Sequence, residues 1–255
     1  MHGSNRCRHD DALRNPDRRP SWTRDGIAMS VATLHREVYA LPQAARLLQV
    51  PPATLQWWLE GGVRNTHEYL PVLRPEPTGS KMVTWGEFVE AGYLREYRRT
   101  HRVPLPHLRR FIELLRERQG VPYPLAHYRP FVGEGRKLVL ELQQEVGLPA
   151  DLWLVVPVTD QIVLLPSTET FLSKVVFSDD DEAWAERIHP NGKASPVVLD
   201  PEYSFGEPTV RGIRTEPLAE LVEAGEPMDA VASQFGIGLA DLKAALSYEF
   251  SPAAA

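Results

Sequence analysis

Pro51-Pro52 and Gly61-Gly62 fence off one short stretch, Ala53-Thr54-Leu55-Gln56-Trp57-Trp58-Leu59-Glu60, and leave it little choice of structure. Proline is favoured at the first helical position because its fixed φ is already helical, and glycine ends a helix readily. Immediately upstream, Leu41, Ala44, Ala45 and Leu48 recur at the i, i+3, i+4, i+7 spacing of one helix face. Gln49-Val50 leaves room only for a tight turn between the two, so the pair predicts a helix-turn-helix unit. In its second helix Leu55, Trp58 and Leu59 fall inward, and Thr54, Gln56 and Trp57 are expected toward solvent.

The next segment, 63–83, crowds together Arg64, Arg74, Lys81, Gly79 and the prolines 71, 75 and 77, and reads as a β-hairpin wing. Thr84-Trp85-Gly86-Glu87 is a capping box: the Thr hydroxyl accepts one free N–H at a helix start, and the Glu carboxylate accepts another. The helix it opens carries a buried stripe of Trp85, Phe88, Val89, Tyr93 and Tyr97. Arg95, Arg98, Arg99 and Arg102 gather toward its carbonyl end, where the helix dipole favours cations. After Pro104 and Pro106 another helix presents Leu108, Phe111, Ile112 and Leu115, interleaved with Arg109, Arg110, Arg116 and Arg118, and ends at Gly120.

Residues 121–195 turn toward apolar runs: 137–140, 152–156, 162–165 and 175–177. Their length and β-branching predict strands of a small sheet, although short buried helical segments give similar runs. Asp179-Asp180-Asp181-Glu182 reads as a solvated turn. Three helical patterns close the chain: Leu218, Leu221 and Val222; then Met228, Val231, Ala232 and Phe235; then Leu239, Leu242, Ala245, Leu246 and Phe250. The last two, joined by Gly236-Ile237-Gly238, repeat the helix-turn-helix layout. The expected fold class is therefore α+β, mostly α. It divides into a disordered tail at 1–29, a winged helix-turn-helix domain at 30–120, a β-rich middle region at 121–195 and a three-helix C-terminal domain at 196–255. Met29, where patterning begins, is also a candidate start of the native protein.

Charge divides the chain the same way. Residues 1–120 hold 19 Lys and Arg against 13 Asp and Glu, whereas residues 121–255 hold 9 against 21. A cationic half suits a phosphate backbone, since neutralising phosphates releases condensed counterions, and an anionic half does not. No apolar run approaches the length of a membrane span, and Cys7 is the lone cysteine, so neither a disulfide nor a closed thiolate zinc site can form within one chain. A cytoplasmic protein without membrane attachment is expected. Catalysis has no visible basis: the eight histidines show no zinc spacing, no phosphate-binding glycine loop occurs, and three consecutive aspartates cannot all point inward from one strand. The reading is a non-enzyme with no catalytic residue, metal or cofactor.

Leu41-x-x-Ala44-Ala45-x-Leu47-Leu48-x-Val50, then Thr54-Leu55-x-x-Trp58, a wing and Thr84-x-x-Glu87 resemble the N-terminal domain of MerR-type regulators. Asp200-Pro201, Gly206-x-Pro208-x-Val210-x-Gly212-x-Arg214-Thr215, Glu226, Val231-Ala232, Phe235 and Ala244-Ala245-Leu246-x-Tyr248 resemble a small domain of unknown function that recurs among antitoxins. The combination is similar to actinobacterial antitoxins of the VapB class. That resemblance implies a homodimeric autorepressor of a type II toxin-antitoxin system, with operator DNA and a PIN-type ribonuclease toxin as partners. Two departures stand out: Ile213 occupies the usual threonine of a Gly-Thr-Arg triplet, and Gln56 occupies a recognition-helix position often held by Arg.

Thr54, Gln56 and Trp57 on the recognition helix, with Arg64, Arg74 and Lys81 on the wing, are the candidate DNA contacts. Gly206, Pro208, Gly212 and Arg214 are expected to shape a tight loop first and to touch a partner second. Two other functions remain open at this point: a MerR-like regulator without a toxin, sensing a ligand in a pocket lined by Trp153 and Phe177, and a protein adaptor that uses both helix pairs for interaction.

Overall fold

The computed structural model describes residues 32–100, 105–128, 133–147, 155–158, 161–164, 170–179 and 183–251. The tail at 1–29, with Cys7, and Trp153 and Asp180-Asp181 lie outside them. Strand β1 (Glu37–Ala40) leads into helix α1 (Leu41–Leu48), which buries Leu41, Ala44, Ala45 and Leu48. Gln49 turns the chain with a left-handed φ of 54°, and Pro52 opens α2 (Pro52–Glu60), which buries Leu55, Trp58 and Leu59. Gly61 stops α2 at φ 63°, and a Cβ there would lie 2.0 Å from the Tyr69 carbonyl oxygen, so only glycine lets the returning chain cross so close.

That returning chain is a short hairpin, β2 (Gly62–Arg64) against β3 (His67–Tyr69), with Arg64 opposite His67. Asn65 and Thr66 both have positive φ, the two-residue turn that matches strand twist. The hairpin is shorter than the expected 63–83 wing. Strand β4 (Met82–Thr84) instead pairs antiparallel with β1, Tyr39 opposite Val83. Helix α3 (Trp85–Thr100) then starts on the capping box: Glu87 N–H donates to Thr84 Oγ1 at 3.2 Å and Thr84 N–H to Glu87 Oε2 at 2.9 Å. Helix α4 (Leu105–Gln119) buries Leu108, Phe111, Ile112 and Leu115 as its spacing requires.

One predicted strand is helical. The run 137–140 lies inside α5 (Gly133–Glu145), where Val139 and Leu142 are buried three apart and Glu141, Gln144 and Glu145 face solvent. The period is that of a helix because the apolar run is flanked by polar residues of good helix propensity. Within the described residues the other runs contain strands, paired antiparallel: β5 (Val155–Val158) with β6 (Gln161–Leu164), and β7 (Val175–Phe177) with β8 (Ala185–Ile188); residues 152–154 and 165 of those runs lie outside the described residues.

A single buried core runs from Leu34 to Leu199, so the stretch following α4 packs with the N-terminal helices. Trp85 Nε1–H donates to the Ala185 carbonyl at 2.6 Å, and the rings of Tyr93 and Phe171 stand 4.5 Å apart. Gly92 of α3 makes room for Phe171, whose Cζ would lie 2.2 Å from an added Cβ. Inside a helix Gly→Ala ordinarily stabilises by about 1 kcal/mol. Here Gly92→Ala is expected to reverse that sign and cost about 1–3 kcal/mol in a urea titration, the usual penalty of overpacking.

A second, smaller core holds Val210, Leu218, Val231, Leu242 and Ala245. It lies under a three-stranded sheet that the sequence reading did not foresee, ordered β11 (Ile213–Arg214), β10 (Thr209–Val210), β9 (Val197–Val198). Helices α6 (Thr215–Glu223), α7 (Met228–Phe235) and α8 (Leu239–Glu249) follow, with Gly236 capping α7 at φ 65°. The loop that precedes β10 is tied to the first core where the buried Tyr39 hydroxyl donates to the Gly206 carbonyl at 2.7 Å. Among the described residues no helix is long and apolar enough to cross a membrane.

Candidate nucleic-acid interface

Inward and outward faces of α2 divide sharply. With Leu55, Trp58 and Leu59 anchored in the core, Gln56 is left exposed, Thr54 half-buried, and no side chain caps the helix N-terminus. Trp57 does not stand free as expected: it is half-buried, its ring 5.6 Å from that of Tyr69, and Gly62 lies beneath it. It thereby ties α2 to the hairpin, whose Arg64 and Val63 are exposed, Val63 at 71%. Lys81 is exposed too; its carbonyl accepts the Leu41 N–H at 2.8 Å, which sets it beside the start of α1.

Arg74 departs from the expected set altogether. It is 5% exposed, and its guanidinium forks onto Glu87, Nε to Oε1 at 2.7 Å and Nη2 to Oε2 at 3.2 Å. Nη1 reaches the Glu60 carboxylate and Thr78 Oγ1, and Nη2 the Met82 carbonyl at 2.8 Å. Burial disfavours the charge, but the hydrogen bonds and negative charges of Glu87 and Glu60 outweigh it, and Arg74 is held above its usual pKa. It is thus a buried clamp and not a phosphate contact. By joining the end of α2, the 74–82 loop and the start of α3, it fixes where that loop, and Lys81 with it, sits relative to α2. Glu60 adds to the clamp by accepting the Gly79 N–H at 2.9 Å. Sequence reasoning missed Glu60 and Glu87 as partners; the capping box identified Glu87 only as a helix start.

The outer helices carry less free cationic surface than their sequence promised. Arg109 donates to the Pro71 carbonyl and pairs with Glu113, while Arg116 donates to the carbonyls of Leu73 and Pro122. The side chains of Arg98, Arg99 and Tyr97 lie outside the described residues. Of the proposed ligand pocket, Phe177 packs near the Tyr128 ring at 5.0 Å. Among the described residues no group of three or more His, Cys, Asp or Glu could hold a metal.

In the C-terminal unit, Gly206 and Pro208 are buried, and the Pro208 carbonyl accepts the Thr215 N–H at 2.9 Å. Gly212 sits in the β10–β11 turn at φ 80°, and Arg214 is exposed and paired with Glu216 at 2.5 Å. Neither α2 nor its hairpin contains more than one cation, so binding of a polyanion by this face would lean on Arg64 and Lys81.

Comparison with known proteins covers nearly the whole chain. Residues 197–248 match the family described as "Protein of unknown function (DUF433)". The chain is 35% identical over 226 residues to the uncharacterized protein Rv2308 of Mycobacterium tuberculosis, covering 86% of this chain and 93% of that protein. It is 31% identical over 224 residues to a protein of the same organism named "Putative antitoxin VapB45", covering 82% of this chain and 92% of the relative. The crystal structure of Rv2018, also from M. tuberculosis, superposes with a TM-score of 0.66 at 28% identity and covers 83% of this chain and 98% of that one.

Proposed function

We propose, from the premise that the chain belongs to the family of Rv2308 and the antitoxin-named VapB45, that it is the antitoxin of a type II toxin-antitoxin pair. The observation that carries this reading is the extent of the kinship: similarity to the antitoxin-named relative spans 92% of that relative and so is not confined to the small DUF433 unit. The antitoxin acts in the cytoplasm as a homodimer, represses its own operon and neutralises a PIN-type ribonuclease. Operator DNA is bound through the α1–α2 pair and its hairpin, working as a MerR-like winged helix-turn-helix. Gln56 reads a base edge, its amide being suited to adenine N6 and N7, while Thr54 and Trp57 line the groove and Arg64 and Lys81 hold phosphates. The DUF433 unit, with nine acidic residues against three basic ones in 197–248, is repelled by the same backbone and serves the protein partner.

Expression of the adjacent open reading frame alone, and then together with this chain, tests the pairing. Growth arrest by the neighbour, relieved by co-expression, is the expected result, together with protection of the shared promoter in half-sites about one helical turn, roughly 34–36 Å, apart or a multiple of it. A neighbour that neither arrests growth nor copurifies would remove the antitoxin reading.

A further inference from the structure

Residues 203–206 hold two aromatic rings in water, and one of them, Phe205, sits on backbone that side chains normally avoid. Tyr203 is 58% exposed and Phe205 81%, and Ser204 and Phe205 have φ of 49° and 54°, in the left-handed region. Conformations of this kind cost free energy for any residue bearing a Cβ and persist only where the surroundings over-determine them. Burial of the two rings does not compensate, since they face solvent.

The loop is instead pinned from behind. Tyr39, fully buried, donates its hydroxyl to the Gly206 carbonyl at 2.7 Å, and Gln43 Nε2 donates to Glu207 at 2.5 Å. Thr33 Oγ1 reaches Glu202 at 3.4 Å on the other side. A methyl group on Gly206 would meet both the Tyr39 hydroxyl and Val38 Cγ1 at 2.6 Å, so the backbone lies hard against β1. The outcome is a pinned loop that presents two aromatic side chains to solvent, the kind of feature that contributes strongly at protein interfaces because little backbone ordering remains to be done on contact. The 197–248 segment that carries the loop is anionic as a whole, with nine acidic residues against three basic ones, although Asp200 itself is buried and Glu207 pairs with Arg46 at 3.7 Å.

We infer that Tyr203 and Phe205 anchor a partner protein whose surface offers an apolar pocket rimmed by Lys and Arg. Resting on the function proposed above, that partner is the toxin. The two rings enter its pocket, and the acidic segment steers a basic rim onto them.

Affinity of the full chain for the protein encoded by the adjacent open reading frame tests this, with Phe205→Asn as the variant, since asparagine tolerates left-handed backbone and removes the ring without adding strain. The expected result is an affinity at least 30-fold weaker, a thermal midpoint equal to or above that of the native chain, and unchanged promoter binding. Tyr203→Ala is expected to weaken binding by a smaller factor, about 5-fold. Affinity within 3-fold of native for F205N overturns the assignment, as does loss of self-association in place of partner binding, which would make the rings a contact between copies. If the native chain itself binds no neighbour-encoded protein, the antitoxin reading fails and takes this one with it.

Discussion

Replacing Arg74 with methionine is expected to destabilise the protein by about 3–5 kcal/mol, the cost of removing one partner from a buried ion pair and leaving charge behind. Two carboxylates lose their counter-charge at once: Glu87, which is buried, and Glu60, which is half-buried. Arg74→Lys keeps the charge but cannot reproduce the two-pronged contact with Glu87, so an intermediate loss is expected. Arg74→Met combined with Glu87→Gln should recover part of the deficit, because the glutamine carbonyl still accepts the Thr84 N–H at the start of α3 while no unpaired carboxylate remains at that position. Urea titrations of the native chain, Arg74→Met, Glu87→Gln and the double variant measure the coupling directly. Additive losses would mean that the pair contributes nothing beyond its separate residues. DNA affinity should fall with Arg74→Met even under conditions where the variant stays folded, since the clamp sets the position of the 74–82 loop.

A second large effect is expected from pH. Glu90 of α3 is fully buried; its Oε1 accepts the Leu125 N–H at 3.1 Å, and its Oε2 lies 4.0 Å from Arg116 with no hydrogen-bond donor among the described residues. Burial raises its pKa to about 8, against the opposing pull of Arg116 and the Leu125 N–H, and Glu87 adds a smaller push upward. Between the unfolded value of 4.5 and about 8 the folded state therefore holds a proton that the unfolded state has released. Stability contributed by this group is complete below the unfolded value and is lost as pH rises through the folded one. The gap corresponds to about 3–5 kcal/mol, at roughly 1.36 kcal/mol per pKa unit. Urea midpoints of the native chain should consequently fall from pH 5 to pH 9, and Glu90→Gln should flatten that fall while raising stability at pH 9. An unchanged pH profile in the variant would show that the buried carboxyl is compensated in another way.

The sequence disclosed what local chemistry decides. Leu41, Ala44, Ala45 and Leu48, the proline and glycine brackets of α2, and the Thr84–Glu87 box each act within a few residues, and each element formed where expected. Arg74 was misread because its partners, Glu60 and Glu87, lie 14 and 13 residues away, and an arginine among prolines resembles any solvated loop cation. The 137–140 run was misread because three consecutive apolar residues after Lys137 do not distinguish a period of 2 from one of 3.6; Val139 and Leu142 settle it only once their burial is known. Strands of two residues, such as β9, β10 and β11, are too short to show any period at all. On the candidate interface, Gln56 and Arg64 were legible as outward-facing residues, whereas the packing of Trp57 onto Tyr69 depends on a hairpin register that spacing does not specify. Phe205 could not be singled out either, since nothing in the pattern distinguishes an exposed phenylalanine from a core one.

Operator binding across a salt series probes the central claim most directly. Each phosphate held by Arg64 or Lys81 should add about −0.9 to the slope of log K on log salt, so Arg64→Ala with Lys81→Ala is expected to flatten the slope by about 1.8 per protomer engaged. Gln56→Ala should weaken binding to the chain's own promoter while leaving that slope in place. An identical slope in the double variant, or equal affinity for promoter and unrelated DNA in the native chain, would contradict recognition through this face.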